Sequence, residues 1–172
     1  PLTAMPDQKP QSLVVSGKDT LTLENVLIGE VWLCSGQSNM EQGMGMIDRS
    51  KEEIAAADHP NIRLLLVPKR PAGTPMNDVN AAWVPCHPST ITRGGWGGFS
   101  GVAFFFGRKL HEELGLPIGL IESAWGGTRI SPWTPPLGFA AVPALANLSK
   151  SVEIATPGSL NSRGKPTSLY NG

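Results

Sequence analysis

Two short stretches carry residue types able to do chemistry. Residues 31–40 read VWLCSGQSNM, an apolar run that ends in a serine held between Gly36-Gln37 and Asn39. Residues 121–130 read IESAWGGTRI, a second apolar run ending in the pair Gly126-Gly127. A serine at a strand end is positioned to attack an acyl carbon, and backbone without side chains at a neighbouring strand end can bring N–H donors to the oxyanion that forms. The pairing suggests acyl transfer by Ser38, with the amides of Ser38, Gly126 and Gly127 in the oxyanion region. The alternative for Ser38 is an N-cap role, because Ser and Asn are favoured there and Met40-Glu41 can begin a helix. For the glycines the alternative is an ordinary turn. The stretch is not a G-x-S-x-G elbow, since Met40 stands where the second glycine belongs.

These residues need a sheet to hold them. Val31 to Cys34 lack the alternation of a half-exposed strand, which predicts a central parallel strand buried on both faces. In a parallel sheet, ligands and reacting groups gather at the carboxyl ends of the strands, where Ser38 would sit. A helix starting after Ser38 would aim N–H groups and a positive dipole end at a developing anion. NIRLLLVP predicts a second strand closed by Pro68. SGVAFFFGRKLHEELG predicts the clearest helix, capped by Ser100, ended by Gly115, and laid on the sheet through Val102, Phe106, Leu110 and Leu114. LPIGLIES follows as another strand. A helix leading directly into an apolar strand implies a layered α/β domain with a parallel sheet.

Around this core the signals are weaker. LVVSGKDTLTLENV alternates about the turn Ser16-Gly17-Lys18-Asp19 and predicts a β-hairpin with one wet face. Residues 48–58 predict a short helix with a thin apolar face. Lys69 to Gly98 reads as a long Pro- and Gly-rich loop in which only residues 81–84 look ordered. VPALANLSK suggests one helical turn before a polar tail.

Composition narrows the function. Lys plus Arg is 14 and Asp plus Glu is 14 in 172 residues, so no net field favours nucleic acid or anionic lipid, and a small neutral substrate fits better. No apolar run reaches the roughly 18 residues of a membrane span. Cys34 and Cys86 show neither CxxC spacing nor a histidine set for zinc, and are expected as buried free thiols. The chain starts at Pro1, so a leader would lie upstream and the compartment is undetermined. The polar end SLNSRGKPTSLYNG reads as cut.

The strings VLIGEVWLCSGQSNM and FSGVAFFFGRKLHEELGLPIGLIESAWGGTRISPWTP, in that order and with PNIRLLLVP between, resemble the sialate O-acetylesterase group of carbohydrate esterases in the SGNH-hydrolase superfamily. The likeness runs over roughly residues 20–136. It implies a three-layer flavodoxin-like sandwich with a central parallel sheet, here incomplete at its carboxyl end. Residues 1–24 would be the remnant of an amino-terminal β element, and 25–172 the first part of the esterase domain. It further implies that Ser38 attacks an O-acetyl group on a sugar, that Gly126 and Gly127 serve the oxyanion, and that Gln37, Asn39, Arg129 and Trp133 support the nucleophile or substrate cleft. No metal or organic cofactor is required, the partner is an O-acetylated glycan, and the resemblance leans toward an extracytoplasmic or lysosomal setting.

One departure stands out. The family's Gln-Gly-Glu-Ser-like block and its Asp-x-x-His segment, which supplies the base, do not occur here. His59 precedes a strand, His87 lies in the long loop, and His111 rides the helix toward solvent; His87 is the only one with a route to the cleft. The chain is therefore expected to be the amino-terminal part of an esterase, carrying the nucleophile without its base. A rival from another class is a non-catalytic carbohydrate-binding module whose Trp96, Trp125 and Trp133 stack on sugar rings. A nucleotide-binding reading of RGGWGGFSG fails both the dinucleotide and the P-loop templates.

Overall fold

The alternating stretch near the amino terminus folds as a hairpin of β1 (Gln11–Ser16) and β2 (Thr20–Val26), with Ser16 paired to Thr20 and the Gly17 N–H donated to Asp19 O at 3.0 Å. The structure is a computed structural model and describes residues 9–153 and 163–170; the opening residues of the expected β element, 1–8, lie outside the described residues. The hairpin forms a sheet of its own, and Leu13, Val14, Val15, Leu21 and Leu23 are all exposed. The one-wet-face expectation thus does not hold among the described residues, because nothing covers the apolar side.

The main sheet contains β3 (Glu30–Gly36), β4 (His59–Leu66), β5 (Val84–Cys86) and β6 (Ile118–Ala124) in the order β3-β6-β4-β5. β3 and β4 both pair in parallel with β6, and β5 runs antiparallel along β4. The interior strands are therefore β6 and β4, not the serine-bearing strand. β3 stands at the edge, with Cys34 buried but Val31 and Leu33 61% and 67% exposed. Its all-apolar sequence signals burial on both faces, yet among the described residues no helix covers Val31 and Leu33. β5 and the single turn α3 (Pro88–Ile91) emerge from what the sequence marked as loop.

Between β3 and β4 lie α1 (Ser38–Glu41) and α2 (Ser50–Ala55), and α4 (Gly101–Leu114) leads into β6. Helix α4 has the expected caps: Ser100 Oγ accepts the Ala103 N–H at 3.1 Å, and Gly115 closes it at φ 66°. Its contact face is only partly the expected one, Leu110 alone of the expected four packing against the core. Ala103, Phe104 and Gly107 are buried against the sheet, whereas Val102, Phe106 and Leu114 are exposed. The reason is close approach: a Cβ on Gly107 would lie 2.6 Å from Leu120 Cδ1, so the helix meets β6 where its side chains are smallest. The core under α4 gathers Cys34, Ile62, Leu64, Phe104, Ile118 and Leu120. Both thiols are free and buried. After β6 come α5 (Pro136–Ala140) and α6 (Ala146–Glu153), and residues 163–170 return to pack on the turn before α5, with Thr167 N–H donated to Ser131 O and Leu169 N–H to Pro132 O, both at 3.0 Å.

Candidate active site

The pairing of β3 with β6 runs through Gly36 opposite Ala124, so the two strands end side by side. The Trp125 N–H is donated to Gly36 O at 3.1 Å and fixes the two exits together. Two residues beyond each exit stand Ser38 and Gly126. A Cβ on Gly126 would lie 3.5 Å from both Cα and Cβ of Ser38, and a side chain there would crowd the serine. The strand ends that the sequence joined only by chemistry are thus joined in space.

Ser38 is the first residue of α1, not its cap. Gln37 holds the N-cap position without a side-chain bond, and among the described residues the Ser38 hydroxyl has no hydrogen-bond partner. The capping alternative is thereby removed. Gln37 and Asn39 are exposed beside it. Helix α1 is a single turn, so the dipole expected behind the serine is that of four residues only.

Beneath the serine lies a charged cluster that the sequence reading missed. Glu41, one turn after Ser38, is 4% exposed; its Oε2 accepts the Gly126 N–H and its Oε1 is ion-paired with Lys69. The Gly126 amide expected to face an oxyanion is therefore already engaged by a carboxylate, while the amides of Ser38 and Gly127 have no acceptor among the described residues. Lys69 Nζ and Arg163 Cζ each stand 5.7 Å from the Trp125 ring centroid, and Arg163 Nη1 reaches Gly126 O at 3.4 Å. Glu122, on β6, is fully buried and accepts the Ser100 N–H at 2.7 Å. Burial pushes its carboxyl up to about 7, against the pull of the Ser100 N–H and of Lys69. Burial also lowers the Lys69 ammonium. For Glu122 a signal was present, since it interrupts an apolar run.

The turn after β6 is internally braced. Thr128 Oγ1 donates to Trp125 O at 2.6 Å and accepts the Trp133 indole N–H at 3.0 Å. Trp133 thus ties the Gly126-Gly127 turn to the segment beyond it, and Arg129 is exposed at the rim. The Gly-rich loop 94–98 has a packing role: Gly43 donates to Trp96 O at 2.9 Å and Gly45 to Gly97 O at 2.7 Å, and a Cβ on Gly43 would strike Gly98 O. Trp96 is exposed on that loop.

The histidines are elsewhere. His59 opens β4 with its ring tilted against Phe104 at a centroid distance of 6.0 Å, and burial lowers its imidazole. His87 follows Cys86, which pairs with His59, and its Nδ1 accepts the Ser89 N–H as the N-cap of α3. His111 Nδ1 lies 2.6 Å from Leu116 O, just before β6 begins. All three sit at the amino-terminal pole of the strands, roughly 25 Å from the pole that carries Ser38 at the rise of an eight-residue strand. A cavity of about 400 Å³ between the hairpin and the sheet, lined by Asn25, Glu30, Arg63 and Trp83, is at that far pole too. Among the described residues no three His, Cys, Asp or Glu side chains gather as a metal site, and no helix is long and apolar enough to cross a membrane.

This is an α/β protein with a partly parallel sheet whose candidate site is built from two adjacent strand ends. Residues 28–154 match the carbohydrate esterase, sialic acid-specific acetylesterase family, and the chain belongs to it. Over 119 residues, 67% of this chain, it is 40% identical to the sialate O-acetylesterase of Homo sapiens and 34% identical to that of Mus musculus. The matched stretch is 23% and 22% of those proteins, so the chain spans less than a quarter of their length. The crystal structure of a carbohydrate acetylesterase from Xanthomonas citri superposes with a TM-score of 0.73 at 28% identity, covering 93% of this chain and 32% of that one.

Proposed function

We propose that these residues form the nucleophile half of an O-acetylesterase acting on acetylated sugars. Ser38 Oγ attacks the acetyl carbonyl carbon as its proton passes to a base, and the tetrahedral oxyanion collapses to acetyl-Ser38 with the sugar oxygen leaving protonated. Water then attacks the acetyl-enzyme, returning its proton through the same base, and acetate departs. The observation that carries this reading is the closeness of Ser38, whose hydroxyl has no partner among the described residues, to Gly126 at adjacent parallel strand ends in a chain of this family. Gln37, Asn39, Arg129 and Trp133 line or brace the cleft, residues 1–24 belong to a separate β element, and the base comes from outside the three histidines of this chain.

The position of those histidines also favours a second reading, a carbohydrate-binding module without turnover that uses Trp125, Trp133 and Trp96. Acetate release from an O-acetylated sugar by the longest natural polypeptide carrying this sequence, beside its Ser38→Ala variant, separates the two. Ser38-dependent release supports the esterase; sugar binding that survives Ser38→Ala with no release supports the module.

A further inference from the structure

We propose that Glu41, tethered by Lys69, is a positioning residue of the acyl-transfer site: it docks the Gly126-Gly127 turn beneath Ser38 and leaves Gly127, not Gly126, as that turn's oxyanion donor. The proposal rests on the esterase reading for its catalytic consequence, though not for the clamp itself.

Glu41 is the last residue of the one-turn helix that Ser38 begins. Burying a carboxylate costs several kcal/mol unless both oxygens find strong partners. Here both do: one takes the Gly126 N–H and the other the Lys69 ammonium. The helix bearing the nucleophile is thereby bonded to the turn from the neighbouring strand by a charge-assisted link, beyond the backbone ladder that ends at Gly36 and Ala124. A residue larger than glycine at 126 would break this, since its Cβ would lie 2.8 Å from Glu41 Oε2.

The other side of the same residue is also held. Gly126 O faces Arg163 Nη1, and in a trans peptide the carbonyl and the following N–H point in opposite directions, so the Gly127 N–H is turned away from Arg163. Gly127 adopts φ 69°, and among the described residues no atom beyond its chain neighbours lies within 4 Å of where its Cβ would be. Its glycine is required by backbone conformation, not by packing, and its N–H has no acceptor among the described residues, so it is free to meet an acyl oxygen. Glu41 acts through Gly126 and touches no substrate.

Two measurements decide this. In the 172-residue chain, amide hydrogen exchange followed by NMR should find Gly126 slower than Gly127 by about tenfold or more. Glu41→Ala should erase the difference, and Glu41→Gln, whose side-chain oxygen still accepts, should keep most of it. A Gly126 amide as fast as Gly127 in the unaltered chain, or a difference that survives Glu41→Ala, overturns the clamp. In the longest natural polypeptide, Glu41→Ala should lower kcat on p-nitrophenyl acetate by about 10- to 100-fold with KM within about twofold, and Glu41→Gln should recover most of it. Unchanged kcat in folded Glu41→Ala overturns the positioning role. Full activity in Ser38→Ala would instead remove the esterase reading, with the exchange result still deciding the clamp.

Discussion

Ser38 and His87 stand at opposite ends of one sheet: the serine follows the carboxyl end of β3, whereas the histidine follows β5, whose Cys86 pairs with the first residue of β4. His87 spends its ring nitrogen on capping α3. We therefore expect His87→Ala to leave any Ser38-dependent turnover of p-nitrophenyl acetate unchanged while lowering stability by about 1 kcal/mol through the lost cap. Thermal denaturation and initial rates on the same samples check both halves. Loss of turnover without loss of fold would make His87 the base after all.

Gly107 carries the contact between α4 and β6. A methyl there meets Leu120 at well under van der Waals distance, so Gly107→Ala should destabilise the chain by about 1–3 kcal/mol even though alanine favours a helix. A urea midpoint equal to or above that of the parent would show that the helix can slide on the sheet at little cost.

The same contact explains what was legible in the sequence. The caps of α4, the strand after it and the strand-end serine follow from local chemistry, and all three appear where the residues imply. The buried face of α4 did not, because reading a stripe of large apolar residues as the core face overlooks that Ala103 and Gly107 permit the closest approach. The place of β3 in the sheet also escaped, since strand order depends on where β6 inserts, which no local pattern encodes. The Ser38–Gly126 proximity was inferable from the two motifs, but the Glu41 link was not, because a glutamate at the end of a short helix usually faces water.

Glu122 sets a pH dependence. Its folded carboxyl is raised from 4.5 to about 7, first by burial, so the folded chain binds more protons than the unfolded one between these values. Its contribution to stability is fully present below about pH 4.5 and is lost as pH rises through about 7. Glu122→Gln should remove this slope, and the difference between the two chains over that window should be roughly 3 kcal/mol. Melting temperatures from pH 4.5 to 8 provide the comparison; parallel profiles would show that Glu122 titrates normally.

The edge of β3 makes the last prediction. Val31 and Leu33 are exposed on one face, and on the other Trp32 meets the exposed Phe106 edge-on, with ring centroids 5.1 Å apart. An unpaired apolar edge strand beside an uncovered helix stripe is a template for association. The 172-residue chain should therefore self-associate with rising concentration in sedimentation velocity, and Leu33→Lys should shift it toward monomer by placing a charge on that surface. In a polypeptide as long as the curated relatives, where we expect further chain to cover this edge, the same substitution should destabilise the fold by about 2–5 kcal/mol, as a buried lysine does when it replaces leucine. A parent chain that stays monomeric at all concentrations would mean that the exposed residues of β3 and α4 do not form a sticky surface, and a silent Leu33→Lys in the long form would mean that nothing packs there.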